Sequence, residues 1–390
     1  MIKTVTMGDL GTIITGNTPP RSRPELYGSH TPFVKATDIS ENEKYTYNPE
    51  EGYSEEGYKK YIKSLVPKGS TCVVTIGSIG KKMTMAHCDL FINQAMNAII
   101  PFPNFDKDYV YYAVRNVLSN IKALDSGTAS GRENVSKSAF SRMEVIIDDD
   151  LLIQKRIATA LSRYDSLIDN YQKQIKLLEE AAQRLYKEWF VNLRFPGHEN
   201  TKIVDGVPEG WEKKKLISLV DVQYGYAFDG HLFNDKGEGM PILRIRNIPD
   251  GYTKDYTAEQ ASSDYIVHKG DIVVGMDGIF HINTWSGDDA YLVQRACSFR
   301  PHNEKLKGFI FQAIVEPIKF FEKTLVGATV AHLGKKHIDS IELLVPSKER
   351  LFAPLQKMYK QRMTLLSQLR LLAESRDRLL PKLLSGEIEV

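Results

Sequence analysis

The chain has 390 residues, 42% hydrophobic and 26% charged, with 51 Lys and Arg against 49 Asp and Glu for a net charge of +2. That length exceeds the roughly 100–200 residues of one domain, so two or more are expected. No apolar run approaches the roughly 18 residues of a bilayer crossing. The start, MIKTVTMGDL, lacks a signal-peptide core, and Cys72, Cys88 and Cys297 form no CxxC pair. A cytoplasmic protein with reduced thiols is therefore expected. Dedicated nucleic-acid binders are often far more basic.

In chain order, the first distinctive segment is TPFVKATDI (31–39), and MPILRIRNI (240–248) repeats its layout. At a constant offset of 209, Leu10 maps to Leu219, Gly16 to Gly225, Pro32 to Pro241, Lys35 to Arg244, Asp38 to Asn247 and Ile39 to Ile248. PKGSTCVVTIGSIG (67–80) then pairs with HKGDIVVGMDGIF (268–280), each reading as a turn, a β-branched strand and a glycine loop. NQAMNAIIP (93–101) pairs with VQRACSFRP (293–301), which matches Gln94 to Gln294 and Ala95 to Arg295. The helix-like DYVYYAVRN (108–116) pairs with GFIFQAIVE (308–316), and residues 126–147 pair with 326–346. Small shifts of offset fit insertions in surface loops. Matches in one order imply a duplication.

Each half closes on a helix. From 151 to about 190 there is no Gly or Pro, and Ile157, Leu161, Tyr164, Ile168, Tyr171, Ile175, Leu178, Ala182, Leu185 and Trp189 form an unbroken heptad seam. Asp148, Asp149 and Asp150 precede it as N-terminal carboxylates, and about 40 residues make a helix of roughly 60 Å. Leu355, Met358, Leu365, Leu369, Leu372, Leu379 and Leu383 continue a similar pattern after the second half, interrupted by Arg362 and Arg376, with Pro381 and Gly386 at its exit. Two such helices are best explained by antiparallel packing on each other, with a globular unit at each end of the rod.

Catalytic constellations are scarce. GSIGKKMT (77–84) lacks the spacing of a phosphate loop, and GMDGIFHI (275–282) lacks its lysine. NTPP (17–20) departs from the Asn-Pro-Pro-aromatic element of adenine methyltransferases. His87 and Cys88, and His332 and His337, have no partners at metal-ligand spacing. Asp277, Asp288 and Asp289 could suggest a metal-dependent nuclease, but acidic loops are far more often solvated turns.

The loops suit DNA instead. Lys35 and Thr37, like Arg244, Arg246 and Asn247, are expected to alternate along a strand and so share a face. Arg and Asn read guanine and adenine edges bidentately. Asn17, Thr18 and Arg21 follow Gly16, while Tyr224 and Tyr226 flank Gly225. Glycines there allow close backbone approach to phosphates. Ser126, Thr128, Ser130, Arg132, Asn134 and Lys137 form one polar loop; Thr329, His332, Lys335, Lys336 and His337 form its counterpart. Ser78, matched to Asp277 in the second half, and Lys81 in one glycine loop, with Arg295, complete the candidate DNA-binding set. Framework positions agree between the halves while contact residues differ, which implies two different half-sites, separated by about one DNA turn, roughly 34 Å.

These features resemble the specificity (S) subunit of Type I restriction-modification systems. The resemblance rests on GNTPP…TPFVKATDI, GYAF…MPILRIRNI, LLEEAAQRLYKEWF (177–190), VPEGWEKKKL (207–216) and RDRLLPKLLSGEIEV (376–390), and covers the whole chain. It implies an α+β fold of two tandem target recognition domains, each followed by a long helix, the two helices forming an antiparallel coiled coil. The expected divisions are 1–150 and 196–346 for the recognition domains, with helical spacers at 151–195 and 347–390. It further implies a split site in double-stranded DNA and no catalysis by this chain. Two methylation subunits and restriction subunits would be its partners, supplying S-adenosylmethionine, ATP and Mg. GYAF in place of Gly-x-Thr-Pro implies a different contact in the second loop, and Arg362 and Arg376 are expected to bind a partner rather than pack. The alternatives are a specificity component of a Type IIB-like or phage-defence system, and a coiled-coil scaffold with protein-binding heads.

Overall fold

The computed structural model describes residues 1–41, 43–127, 133–325 and 331–390. The chain divides into two compact units, Met1–Asn170 with Leu369–Val390, and Tyr171–Gln368.

The first unit holds a four-stranded sheet in the order Gly11–Thr15, Met96–Pro101, Thr71–Val74, Met83–Met85, all neighbours antiparallel. Every residue of TCVV (71–74) is buried, as a central strand covered on both faces requires. The helix Lys107–Asn116 packs on this layer. Asp106 caps it by accepting from Tyr109 N at 2.9 Å, and Tyr109 to Val114 are all buried. A smaller sheet sets Tyr27–Val34 between Glu51–Tyr53, antiparallel, and Phe91–Ile92, parallel. Ile2–Thr6 pairs with Glu144–Asp148.

The second unit repeats this topology. Val220–Tyr224, Ala296–Pro301, Ile272–Gly275 and Ile282–Thr284 take the same order. The registers also coincide: Gly11 faces Pro101 and Thr15 faces Asn97, as Val220 faces Pro301 and Tyr224 faces Cys297. Met240–Leu243 runs parallel to Ala290–Leu292 and antiparallel to Tyr256–Thr257, while Trp211–Lys215 pairs with Glu342–Pro346. The sequence duplication is thus a duplication of ladders.

The seam helices span Leu151–Tyr186, closed by a π turn at Lys187–Val191, and Ala353–Leu384. Asp150 caps the first by accepting from Leu152 N at 2.7 Å. Pro381 lies inside the second, which ends three residues later, before Gly386 at φ +73°. The helices pack antiparallel: in the first unit Asp165 meets Arg376 (2.6 Å), and in the second Glu179 meets Arg362 (2.6 Å). Ile157, Leu161, Ile168, Ala182, Leu355, Leu365 and Leu383 are buried. Tyr164, Tyr171, Ile175, Leu178, Leu185, Trp189, Met358, Leu369, Leu372 and Leu379 are half-buried. The seam also enters the cores of the heads. Ile157, Leu161, Leu380 and Leu383 join the first, and Ala182, Phe190, Phe352, Leu355 and Tyr359 join the second.

Arg362 and Arg376 are not partner-facing, contrary to expectation. Both are buried. Arg376 holds Asp165, which also accepts from the Tyr112 hydroxyl; Arg362 holds Glu179 and donates to Asn283 Oδ1 at 2.7 Å. A buried guanidinium needs an ionised partner and further hydrogen bonds, and the facing helix with the adjacent head supplies both. No helix of the described residues is long and apolar enough to cross a membrane.

Candidate nucleic-acid interface

The strand ends bring five loops together in each head. In the first, Gly16 N donates to Met96 O (3.1 Å), Asn17 N to Ile92 O (2.9 Å) and Asn93 N to Val34 O (3.1 Å). Thr75 N and Ile76 N both donate to Ala95 O, at 2.8 and 3.1 Å, and Gly77 N donates to Glu133 O (3.0 Å). The second head repeats the linkage through Gly225 N to Ala296 O (3.1 Å), Tyr226 N to Leu292 O (2.9 Å), Val293 N to Leu243 O (3.0 Å), Met276 N to Arg295 O (2.8 Å) and Gly278 N to Ala331 O (3.1 Å). Asn17, Thr18, Arg21, Lys35, Thr37, Ser78, Lys81 and Asn134 therefore stand on loops at one end of the first head. Tyr226, Arg244, Arg246, Asn247, Asp277, Arg295 and His332 stand at the corresponding end of the second. Lys335 and Lys336, both exposed, open the adjoining short helix Lys335–Asp339. Thr128, Ser130, Arg132 and Thr329 lie outside the described residues.

Two matched glycine pairs have distinct causes. Gly77 and Gly278 sit at φ +89° and +66°, a region favouring glycine. Gly16 and Gly225 are required by close packing: a Cβ would lie 2.2 Å from Asn93 O and 2.1 Å from Val293 O, respectively. Their crowded neighbour is the chain itself, rather than the DNA backbone expected from sequence.

Other expectations need correction. The strands end at Val34 and Leu243, and Ala36–Asp38 and Ile245–Asn247 are 3-10 turns, so the cations do not alternate along a strand. Asp38 Oδ2 accepts from Lys35 N (2.8 Å) and Asn247 Oδ1 from Arg244 N (2.9 Å), which closes each turn. The Asn247 amide also donates to Asp255 Oδ2 (2.9 Å), so both of its ends serve the fold. The ladders align Val74 with Gly275, because they face Met96 and Ala296 respectively. The counterpart of Ser78 is consequently Ile279, not Asp277.

The cations are paired within each head. Arg21 Nη2 lies 2.9 Å and Lys35 Nζ 3.3 Å from Glu51 Oε1, and Lys35 also meets Glu50 at 2.7 Å. In the second head Asp255 accepts from Arg244 (2.6 Å) and Arg246 (3.0 Å). Asp277 accepts from Arg295 and lies 2.5 Å from His332 Nδ1. The Arg21 hydrogen bond holds the Glu51 carboxyl below its usual range, against desolvation and with help from Lys35. Burial pushes the Asp255 and Asp277 carboxyls up, but hydrogen bonds from Arg244, Asn247 and Arg246, and from Arg295 and His332, outweigh it and leave both lowered. Asp277 was among the sequence candidates, but Glu51 and Asp255 were missed because no motif marks them. Gln94 and Gln294 were visible as a matched pair, and the structure exposes both at the centre of their loop clusters, with Thr18 Oγ1 donating to Gln94.

Among the described residues, no group of three or more His, Cys, Asp or Glu is placed to hold a metal ion.

A duplicated α+β head with polar loops at one end, carried on an antiparallel helical seam, defines a tandem recognition protein. The model of the Type I restriction modification DNA specificity domain matches residues 2–180 and 208–372, and the chain belongs to that family. It is similar to the Type I restriction enzyme MjaIX specificity subunit of Methanocaldococcus jannaschii, at 24% identity over 98% of this chain and 92% of that protein. The MjaVIII specificity subunit of the same organism is 29% identical over 63% of this chain and 60% of its own. In fold it is similar to the crystal structure of the Type I S subunit from M. genitalium, with a TM-score of 0.55 at 16% identity, covering 98% of this chain and 95% of that one.

Proposed function

We propose that this chain reads a split site in double-stranded DNA for a Type I restriction-modification complex, one half-site per head, and is itself non-catalytic. Residues 1–150 and 196–346 would be the recognition domains and 151–195 and 347–390 the helical spacers. Two methylation subunits, and restriction subunits for cleavage, would dock on the chain in the cytoplasm. S-adenosylmethionine, ATP and Mg would belong to those partners.

The observation that carries this is the convergence of the same five loops in both heads on one frame, with different side chains at matched places. Lys35 stands where the second head has Arg244, Thr37 where it has Arg246, and Ala95 where it has Arg295. Equal frames with unequal contacts suit a site whose halves differ in sequence. Alone, with a net charge of only +2, the chain should bind DNA weakly and with steep salt dependence.

The test is co-expression with the neighbouring methyltransferase gene, followed by methylation mapping of the host DNA. One bipartite motif, lost when this chain is deleted, is the expected outcome. Methylation unchanged by the deletion, or no complex, would instead favour a protein-binding scaffold.

A further inference from the structure

We infer that Glu51, Asp255 and Asp277 are positioning residues for base recognition: each carboxylate holds an exposed arginine by one edge and aims its other edge outward at DNA. This rests on the DNA-reading function proposed above.

The geometry is the same in three places. Arg21 meets Glu51 through Nη2, Arg246 meets Asp255 through Nη2, and Arg295 meets Asp277 through Nη1. The carboxylates are 25%, 19% and 14% exposed, whereas the arginines they hold are 66%, 64% and 63% exposed. Each acid is thus rooted in the head while its arginine projects. A guanidinium carries five donors in a planar fork, so engaging one nitrogen leaves further N–H groups for a guanine edge.

Position strengthens the case. Phe33 faces Glu51 in the first head's ladder, and at the matched place Ile242 N donates to Asp255 O at 2.9 Å. Both heads therefore set an acid beside the cation that follows the parallel strand, Lys35 or Arg244, although the surrounding loops differ. Further contacts lock the held arginines. The Arg21 guanidinium lies 4.7 Å from the Tyr27 ring centre, and Asp277 is gripped on its other side by His332. Arg295 itself stands at φ +69°, an uncommon backbone for a side chain of its size, in the turn that brings it to Asp277.

Exposed ion pairs contribute little to stability, so stability alone does not account for a threefold arrangement. A carboxylate beside the interface also repels phosphates. It therefore weakens binding to arbitrary DNA while fixing the arginine geometry that discriminates bases. Specificity gains on both counts.

The test uses the full chain co-expressed with its methylation subunits, presented with randomised duplexes at fixed salt. Wild type, Glu51→Gln, Asp255→Asn, Asp277→Asn and Arg246→Ala are compared for the motif selected and for affinity toward random duplex. Asp255→Asn is expected to relax the same base positions as Arg246→Ala, in one half-site only, by about tenfold or more. Random-duplex affinity should be unchanged or tighter. Glu51→Gln should relax the other half-site. Asp255→Glu, which keeps the charge, should retain the motif. Equal losses on selected and random DNA, unchanged selection, or relaxation at positions different from those of Arg246→Ala would each overturn the inference and leave the DNA-reading function standing. A wild-type complex that selects no motif would sink both.

Discussion

The two heads share ladders, registers and loop linkages, yet differ in what they present and in what they bury. The first gathers Arg21 and Lys35 on one acid, Glu51. The second uses two, Asp255 for Arg244 and Arg246, and Asp277 for Arg295 and His332. Beneath the first head the seam carries Arg376 on Asp165; beneath the second it carries Arg362 on Glu179. These polar sites are not copies: Ala182 and Arg376 occupy the same place in the matched segments LLEEAAQRLYKEWF and LLAESRDRLLPKLL (371–384). A duplicated frame can thus be kept where backbone closes it, while side chains diverge where they meet something specific to one copy.

The sharpest break in this comparison is Arg376→Ala. It strands buried Asp165 and should destabilise the first unit by about 3–5 kcal/mol, leaving a separate, unshifted transition for the second in denaturant melts. Gly16→Ala and Gly225→Ala should act as a matched pair, each costing about 1–3 kcal/mol because a Cβ collides with carbonyl backbone that cannot swing aside. Unequal losses would show that the two loop frames are not equivalent.

The proposed DNA contacts would separate the heads more finely. Arg246→Ala should cost about 1–3 kcal/mol at one half-site, whereas Lys336→Ala should weaken all duplexes alike and lower the salt slope by about one. Titration of binding against salt distinguishes the two patterns.

The smallest effect concerns pH. The Glu51, Asp255 and Asp277 carboxyls all titrate below their ordinary values of 4.5, 3.8 and 3.8. Their contribution is therefore complete above those values and is lost as pH falls through the lower folded ones. The difference in melting temperature between the parent and Glu51→Gln, Asp255→Asn or Asp277→Asn should hold steady from about pH 7 to about pH 5 and shrink below about pH 4.

Much of this was legible in the amino-acid order. The duplication, the element sequence and the heptad seam are local or periodic signals, and the matched segments kept their spacing. The family resemblance rested on the same segments. Less legible was the use of particular side chains. Arg362 and Arg376 looked like interruptions of a seam, because a heptad marks which face is buried and not which acid waits opposite. Asn247 looked like a base reader because its residue type suits adenine, but its Oδ1 also closes a turn and its Nδ2 also donates to Asp255. The acids that grip the arginines carry no motif at all. Glu51 reaches Arg21 and Lys35 only because the ladder brings Phe33 opposite it, and Asp255 reaches Arg246 through the equivalent pairing. Periodicity and turn chemistry belong to the sequence itself, because they act between near neighbours. Which carboxylate meets which cation was decided by strand register, a property of the closed sheet.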